Sequence, residues 1–490
     1  MNLSDLLGQQ ARVTPAADAI VHDGGVVSFA ELEARVCRYA ARLAGAGLEP
    51  GRLVGLSLAR IDPLNIALAL ALARIGAVSV PLAINLPAAA RAAVSAQFEL
   101  AAVIAEDPQY AIEGLKFVQF HAGWAAADGA AAQPRESFDR PMWPWRLHLS
   151  SGTTSRRLKG VLESHDSLVH QVIDYKASGL APPEARFLLG LPMTVASGIR
   201  SCLRYLMNGN PVVFPRSLAT GDLIEAIERH RATHATLTQI TVRDLLGSLP
   251  KGRLRFPGTR LIVGGFATPP GLVEEMADRI APQVTVVYGA SEVGWIAFAN
   301  LEDLRRAPGS VGRPITGIKV QIVDEQDRPA PAGEIGIVRV RGIALPNEYF
   351  KDPQSTQKVF RGGWVYPGDY GRMDGNGYLW LESRVDDVVK VAGWTHYLPQ
   401  VDRVLAEHPQ VLEAAAFMVV TSGGESEVLG AVVAGDTLDE LAVLQHCRAR
   451  LGPLRAPKRL YRVAGLPRNE SGKVMRHELA RQLGGEAAPA

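Results

Sequence analysis

The apolar positions of this chain change period along its length. In "FAELEARVCRYAARLAGAG", Phe29 to Gly47, they recur every three or four residues, the spacing of an amphipathic helix. The run that follows, Leu53 to Leu58, is short and apolar, as a buried strand requires. Ile66 to Ile75 reads as a buried helix and Ala77 to Leu82 as the next strand. Arg74 and Pro81 break what would otherwise approach the length of a membrane span. The same order of helix then strand returns in "LIEAIERHRATHATLTQI" and "GLVEEMADRIAPQVTVVYG". Such alternation predicts an α/β fold with largely parallel sheets. No fixed-period repeat is present.

From about Pro308 the texture changes. "SVGRPITGIKVQIVDEQDRPAPAGEIGIVRVRG" is rich in strand formers and punctuated by Gly and Pro, which predicts a small antiparallel barrel or sheet. "GYLWLESRVDDVVKVAGW" then places two strand-like runs around the charged knot Arg384 to Asp387. A helix over Pro399 to Ala406, strands near Ala414 to Val420 and Val428 to Val433, and a helix near Leu438 to Leu451 follow. This stretch is long enough for a separate α+β domain. The expected boundary is therefore Asp386, giving domains 1–385 and 386–490, with the tail "LGGEAAPA" frayed.

Composition narrows the functional classes. At 490 residues the chain exceeds a single core, and 47% apolar residues suit ordinary globular folding. Lys and Arg number 52 against 50 Asp and Glu, a balance that favours neither nucleic acid nor an anionic membrane as partner. Cys37, Cys202 and Cys447 are scattered and odd in number, which speaks against a disulfide framework or zinc cluster and for a reducing cytoplasm. The opening "MNLSDLLGQQARVTP" lacks the basic and apolar regions of a signal peptide.

One segment suggests chemistry by itself. "LHLSSGTTSRRLKGVLESH", Leu147 to His165, sets Ser150, Ser151, Thr153 and Thr154 around Gly152 and then adds Arg156, Arg157 and Lys159. Backbone N–H groups of such a loop can converge as an anion nest, and nearby cations would neutralise a polyphosphate. An ordinary polar turn has the same composition, and no GxxxxGK[ST] string occurs in the chain.

Four segments in order resolve the ambiguity. "SSGTTSRRLKGV", "VVYGASEVG", "YPGDYGRMDGNGYLWLESRVDDVVKVAG" and "LPRNESGKVMRHEL" resemble the signature motifs of the adenylate-forming superfamily, which includes acyl- and aryl-CoA synthetases, peptide-synthetase adenylation domains and luciferases. The resemblance implies a large N-terminal domain of two α/β subdomains plus a β-barrel, and a small mobile C-terminal domain. It implies attack of a carboxylate on the α-phosphate of ATP, giving acyl-AMP and pyrophosphate, then transfer to a thiol. ATP, Mg²⁺ and CoA are the implied cofactors.

Residue by residue, the resemblance assigns Ser150, Ser151, Gly152, Thr153, Thr154 and Lys159 to the phosphate loop, with Thr153 among the catalytic groups. Against the usual [ST]SGTTGxPKG, Ser155 replaces a glycine, the proline is missing and Lys159 stands one residue late, so Arg156 and Arg157 are candidates to compensate. Tyr288 would stack on adenine, Gly289 and Ser291 would lie beside the α-phosphate, and Glu292 would hold Mg²⁺. Gly264 and Gly265 in "VGGFATPP" would approach the base and acyl group closely, with Phe266 standing where a small residue is customary. Asp369 would accept from the ribose hydroxyls, Pro367 replacing a common Thr, and Arg384 would be a second ribose and phosphate ligand. Asp386 matches the hinge of domain rotation, Gly393 the pantetheine channel, and Lys473 the catalytic lysine that bridges carboxylate and α-phosphate. "LPQVDRVL" keeps the shape of a PxEVE run with Gln400 and Asp402 for two glutamates.

The acid is read from "LPMTVASGIRSCLRYL", which matches the acyl-pocket helix. Thr194 and Val195 stand where CoA synthetases carry an aromatic–His pair and amino-acid adenylating domains an Asp, so an ammonium-bearing substrate is disfavoured. Ser197 and Gly198 are small, and Trp295 would close the far end, which favours a short, medium or aryl acid. Arg200 and Arg204 share a helix face and read as surface or structural arginines, the sharper alternative being partners of a second carboxylate on the substrate. Free CoA is the expected acceptor and a separate acyl-carrier protein the alternative. A catalytically silent nucleotide-binding homologue is the reading from another class, and Glu292, Asp369, Arg384 and Lys473 speak against it.

Overall fold

The computed structural model describes residues 1–59, 61–125, 137–151, 158–250, 254–265, 268–421, 425–435, 437–468 and 474–483. They form two compact units interleaved along the chain. The first contains Met1–Gln321, Arg339–Pro367 and Gly375–Leu379; the second contains Ile322–Val338, Gly368–Asp374 and Trp380–Ala490.

The first unit is the α/β part. One sheet runs, in order, Lys116–Gln119, Ala102–Ala105, Leu53–Leu56, Val78–Pro81, Pro144–Ser151 and Leu158–Ser164. Its first five strands pair in parallel, and Leu158–Ser164 closes it as the antiparallel arm of a hairpin. The larger sheet has nine strands among the described residues, with Gly294–Asn300, Gln283–Ala290, Arg260–Gly264, His234–Thr238 and Phe187–Leu189 as consecutive neighbours. Its centre is parallel and the pair Gln283–Ala290 with Gly294–Asn300 is antiparallel.

Local sequence explains the helices. Phe29–Gly45 starts at a capping box in which Ser28 and Glu31 satisfy each other's backbone N–H groups. Leu64–Arg74 is buried almost all round, as its unbroken apolar run requires. It belongs to one core cluster with Phe29, Val36, Phe187 and Tyr205. Its single charge, Arg74, is buried and held by both carboxylate oxygens of Glu33 at 2.7 and 2.9 Å.

In the second unit Val411–Val420 and Ser426–Ala434 are antiparallel, and Leu460–Arg462 is parallel to the latter. Alternation along Val411–Val420 sends Ala415, Phe417 and Val419 into the cluster of helix Arg476–Leu483. It sends Ala416 and Met418 into that of helices Leu398–Ala406 and Glu440–Leu451. The hairpin Val388–Val391 with Trp394–Tyr397 turns through Ala392 and Gly393, both at positive φ (49° and 81°), as a two-residue primed turn demands. All three cysteines are free and buried.

Candidate active site

In the first unit the carboxyl ends of parallel strands surround a cavity of about 400 Å³. His234–Thr238 supplies Thr236 and Thr238, Arg260–Gly264 ends in Gly264 and Gly265, and Gln283–Ala290 leads into Gly289 and Ser291. Such strand ends are where α/β sheets receive ligands, because loops there are free to diverge. Gly265 has φ of 98° and open space around its missing side chain, so the wall is bare backbone at that point.

The facing wall is the start of the helix Ala196–Met207, with Val195 and Ser197, and Trp295 closes another side. Thr194 and Gly198 are not among the lining residues. Gly198 has a packing reason to be glycine: a Cβ there would sit 2.0 Å from the Pro192 carbonyl oxygen, so only glycine lets the helix begin against the preceding turn. Arg200 and Arg204 line the cavity and are each only 2% exposed, which removes the surface reading of this pair.

Tyr288 is buried at the strand end, 7% exposed. Glu292, half-buried, accepts from the Tyr349 hydroxyl at 2.5 Å, and the Lys159 ammonium lies 5.2 Å from the centre of the Tyr349 ring. Lys159 is placed by the hairpin register, directly opposite Ser150. A carboxylate, a phenol and an ammonium thus adjoin, and Tyr349 is the member that the sequence did not announce. Glu292 offers a hard oxygen of the kind Mg²⁺ takes, and among the described residues no cluster of three metal-ligating side chains exists. One carboxylate completed by phosphate oxygens and water suits Mg²⁺ bound with a nucleotide.

Behind this wall lies a buried charged network. Glu163 is 0% exposed and accepts from Arg200 Nε at 2.9 Å, Gln171 Nε2 at 2.8 Å and His148 Nε2 at 2.8 Å. Arg200 Nη2 donates onward to the Ser291 carbonyl at 3.0 Å, tying the network to the Tyr288–Glu292 turn. Burial opposes ionisation of Glu163, but Arg200 and His148 outweigh it and hold the carboxyl far below the usual range. Burial first, then the Arg200 charge, pushes the His148 imidazole down to about 4, so it is neutral and donates. Burial also pushes the Arg146 guanidinium down to about 9. The available sequence signal for this network was an ionisable residue inside an apolar strand, as His148 sits between Leu147 and Leu149.

In the second unit Asp369 is 5% exposed and accepts from Arg384 Nη1 at 3.1 Å. Asp386 is exposed on the short 3₁₀ turn Val385–Asp387. Its neighbour Asp387 is buried and accepts from Arg476 Nε at 3.1 Å. Arg476 also donates to Asp402 at 2.6 and 3.2 Å and to the Ala416 carbonyl at 2.6 Å. Asp402, the departure from the expected glutamate, therefore anchors the arginine three residues after Lys473. Gly393 is the second residue of the hairpin turn. Gly152, Thr153, Thr154, Ser155, Arg156, Arg157, Phe266 and Lys473 lie outside the described residues, and Ser150 and Ser151 are placed by backbone register alone.

The chain matches the family model described as AMP-binding enzyme over residues 7–350 and that of the AMP-binding enzyme C-terminal domain over residues 400–473. It belongs to the AMP-binding enzyme family, the adenylate-forming superfamily inferred from its motifs. Among its relatives, a sulfoacetate–CoA ligase of Cupriavidus necator is 30% identical over 72% of this chain and 70% of that protein. A 2-succinylbenzoate–CoA ligase of Geobacillus kaustophilus is 28% identical over 97% of each. Among solved structures, the amide bond synthetase McbA from Marinactinospora thermotolerans superposes with a TM-score of 0.84 at 27% identity, covering 97% of this chain and 99% of that one.

Proposed function

We propose that this protein is an AMP-forming ligase that joins a short, medium or aryl carboxylic acid to CoA. The observation that carries the reading is the cavity at the carboxyl ends of the parallel strands, walled by Gly264, Gly265 and Gly289 and adjoining the Tyr288–Glu292 turn. It has the size and the mostly apolar lining of a small-acid pocket.

The chemistry proceeds in two displacements. A carboxylate oxygen of the acid attacks the α-phosphorus of ATP, the bond to the bridging oxygen breaks, and pyrophosphate leaves with its electron pair. The CoA thiolate then attacks the acyl carbon and AMP departs. Bound Mg²⁺ supplies neutralisation of phosphate charge, and Glu292 is the residue we assign to hold it. Tyr349, donating to Glu292, fixes that carboxylate's direction. Tyr288 stacks on the base, Ser150 to Thr154 and Lys159 receive the phosphates, and Asp369 with Arg384 receives the ribose. Lys473 stabilises the charge that develops at the α-phosphate. Asp386 is our hinge residue, on the support that it is exposed at an element boundary. Gly393 is assigned to the thiol channel. The domain boundary stays at Asp386 in this proposal, as does a cytoplasmic location, which suits three free thiols.

The test is pyrophosphate release with ATP and Mg²⁺ across aryl, short, medium, long, dicarboxylic and amino acids, with Lys473→Ala as control. CoA, a carrier protein bearing phosphopantetheine, and simple amines are compared as acceptors. Release confined to certain acids, abolished in the control, with thioester formed on CoA, is the expected result. Product on the carrier alone, or amide rather than thioester, would overturn the choice of CoA, and release from no acid would overturn the ligase reading.

A further inference from the structure

The charge of the acyl cavity is unbalanced. Among the described residues, Arg200 and Arg204 are the charged side chains that line it, and none of the lining residues is acidic. Arg200 is committed, with Nε on Glu163 and Nη2 on the Ser291 carbonyl. Arg204 is not. Its Nη2 donates to the neutral Gln171 at 2.6 Å, its Nη1 is buried with no hydrogen-bond partner, and no carboxylate pairs with it among the described residues. Trp295 and Tyr175 hold the group by their ring faces, 4.9 and 5.6 Å from the guanidinium carbon.

Such an arrangement is costly in a free protein. Buried N–H groups are almost always paired, and a buried charge is usually matched by an opposite one. Here Glu163 is the acid bonded to this cluster, while Arg146, Arg200 and Arg204 are all buried cations. Burial and the neighbouring Arg200 push the Arg204 guanidinium down to about 10, whereas the Tyr175 hydroxyl and Glu163 act in the opposite direction. An incoming anion would supply what the wall lacks. The rings of Trp295 and Tyr175 flank the guanidinium, so the group is held in place for an anionic partner at Nη1.

We propose that Arg204 is a specificity-determining residue that receives a second anionic group on the acid, at the end remote from the carboxylate that is adenylated. Resting on the ligase reading above, this narrows the substrate class to acids with a carboxylate or sulfonate at the far end of a short chain or ring. A monoanionic acid of the same shape leaves Arg204 unmatched.

The experiment compares matched pairs in which the far anion is present or masked: succinate with monomethyl succinate, glutarate with its monomethyl ester, and terephthalate with its monomethyl ester, plus 3-sulfopropanoate. The readout is the ratio of kcat/KM for dianion over ester. In the wild type at least one pair should favour the dianion by about 30-fold, the size expected when a site built for a polar group loses it. Arg204→Met should collapse that ratio to near one, and Arg204→Lys should restore part of it. A purely structural arginine would lower both members of each pair by the same factor and leave the ratio intact, which would overturn the proposal. So would a wild type that prefers the esters in every pair, a result that needs no variant to fold. Pyrophosphate release with esters or simple monocarboxylic acids, but no dianion preference, would refute this inference and leave the ligase reading standing. Release with no acid would remove both.

Discussion

Replacing Glu163 by Gln tests the buried network most sharply, because the shape is kept and only the charge is removed. Glu163 receives three donors, two on Oε1 from Arg200 and Gln171 and one on Oε2 from His148. A glutamine can keep its oxygen towards Arg200 and Gln171. Its amide would then face His148, which can present Nε2 as an acceptor by moving its proton to Nδ1. Hydrogen bonding therefore survives while Arg200, 2% exposed, loses its counter-charge. Removing one partner of a buried ion pair costs about 3–5 kcal/mol, and the surviving hydrogen bonds put the expectation at about 3 kcal/mol. Urea unfolding of Glu163→Gln, Arg200→Met and the double variant measures it. Arg200→Met also gives up the bond to the Ser291 carbonyl, so its own cost is additional. The signature is coupling: the double variant should be more stable than the sum of the single losses predicts, by about 2 kcal/mol or more. A Glu163→Gln protein within about 0.5 kcal/mol of the wild type, or strictly additive losses, would show that the pair is not the electrostatic keystone inferred from its burial.

Acid should weaken the first unit before its carboxylates titrate. Burial pushes His148, His165 and His234 each down to about 4. Below about 6.5 the unfolded chain takes up protons that the fold refuses, so stability falls as pH drops from 6.5 towards 4, by up to about 1.4 kcal/mol per unit for each residue. A melting temperature flat between pH 7 and 5 would contradict this. In the second unit, Arg476→Met removes the cation paired with Asp387 and Asp402 and should cost about 3 kcal/mol. Amide exchange along Val411–Val420 should accelerate, and unchanged protection there would count against it. Ala392, with φ of 49°, occupies a left-handed position, so Ala392→Asn should stabilise the hairpin by about 1 kcal/mol in thermal unfolding; a lower melting temperature would refute the turn assignment.

Much of the fold was legible locally. The run Ile66 to Ile75 fixed a buried helix because no polar face was available, and it is found as Leu64–Arg74. The expected helix Pro399 to Ala406 and strand Ala414 to Val420 appear as Leu398–Ala406 and Val411–Val420, since period alone separates helix from strand. The family was legible too, because four motifs in order identify it without any contact. Contacts between distant positions were not. Arg200 and Arg204 could be placed on one helix face from their spacing, yet only the fold shows that the face is buried, that Glu163 holds one of them, and that no carboxylate among the described residues pairs with the other. Tyr349 on Glu292 is a meeting across 57 positions, with a local motif at Glu292 and none at Tyr349. Sequence by itself determined the secondary structure, the family and the adenylating motifs, which depend on neighbours along the chain. Tertiary structure decided the charge balance of the cavity at the strand ends, because that is a property of which side chains burial brings together.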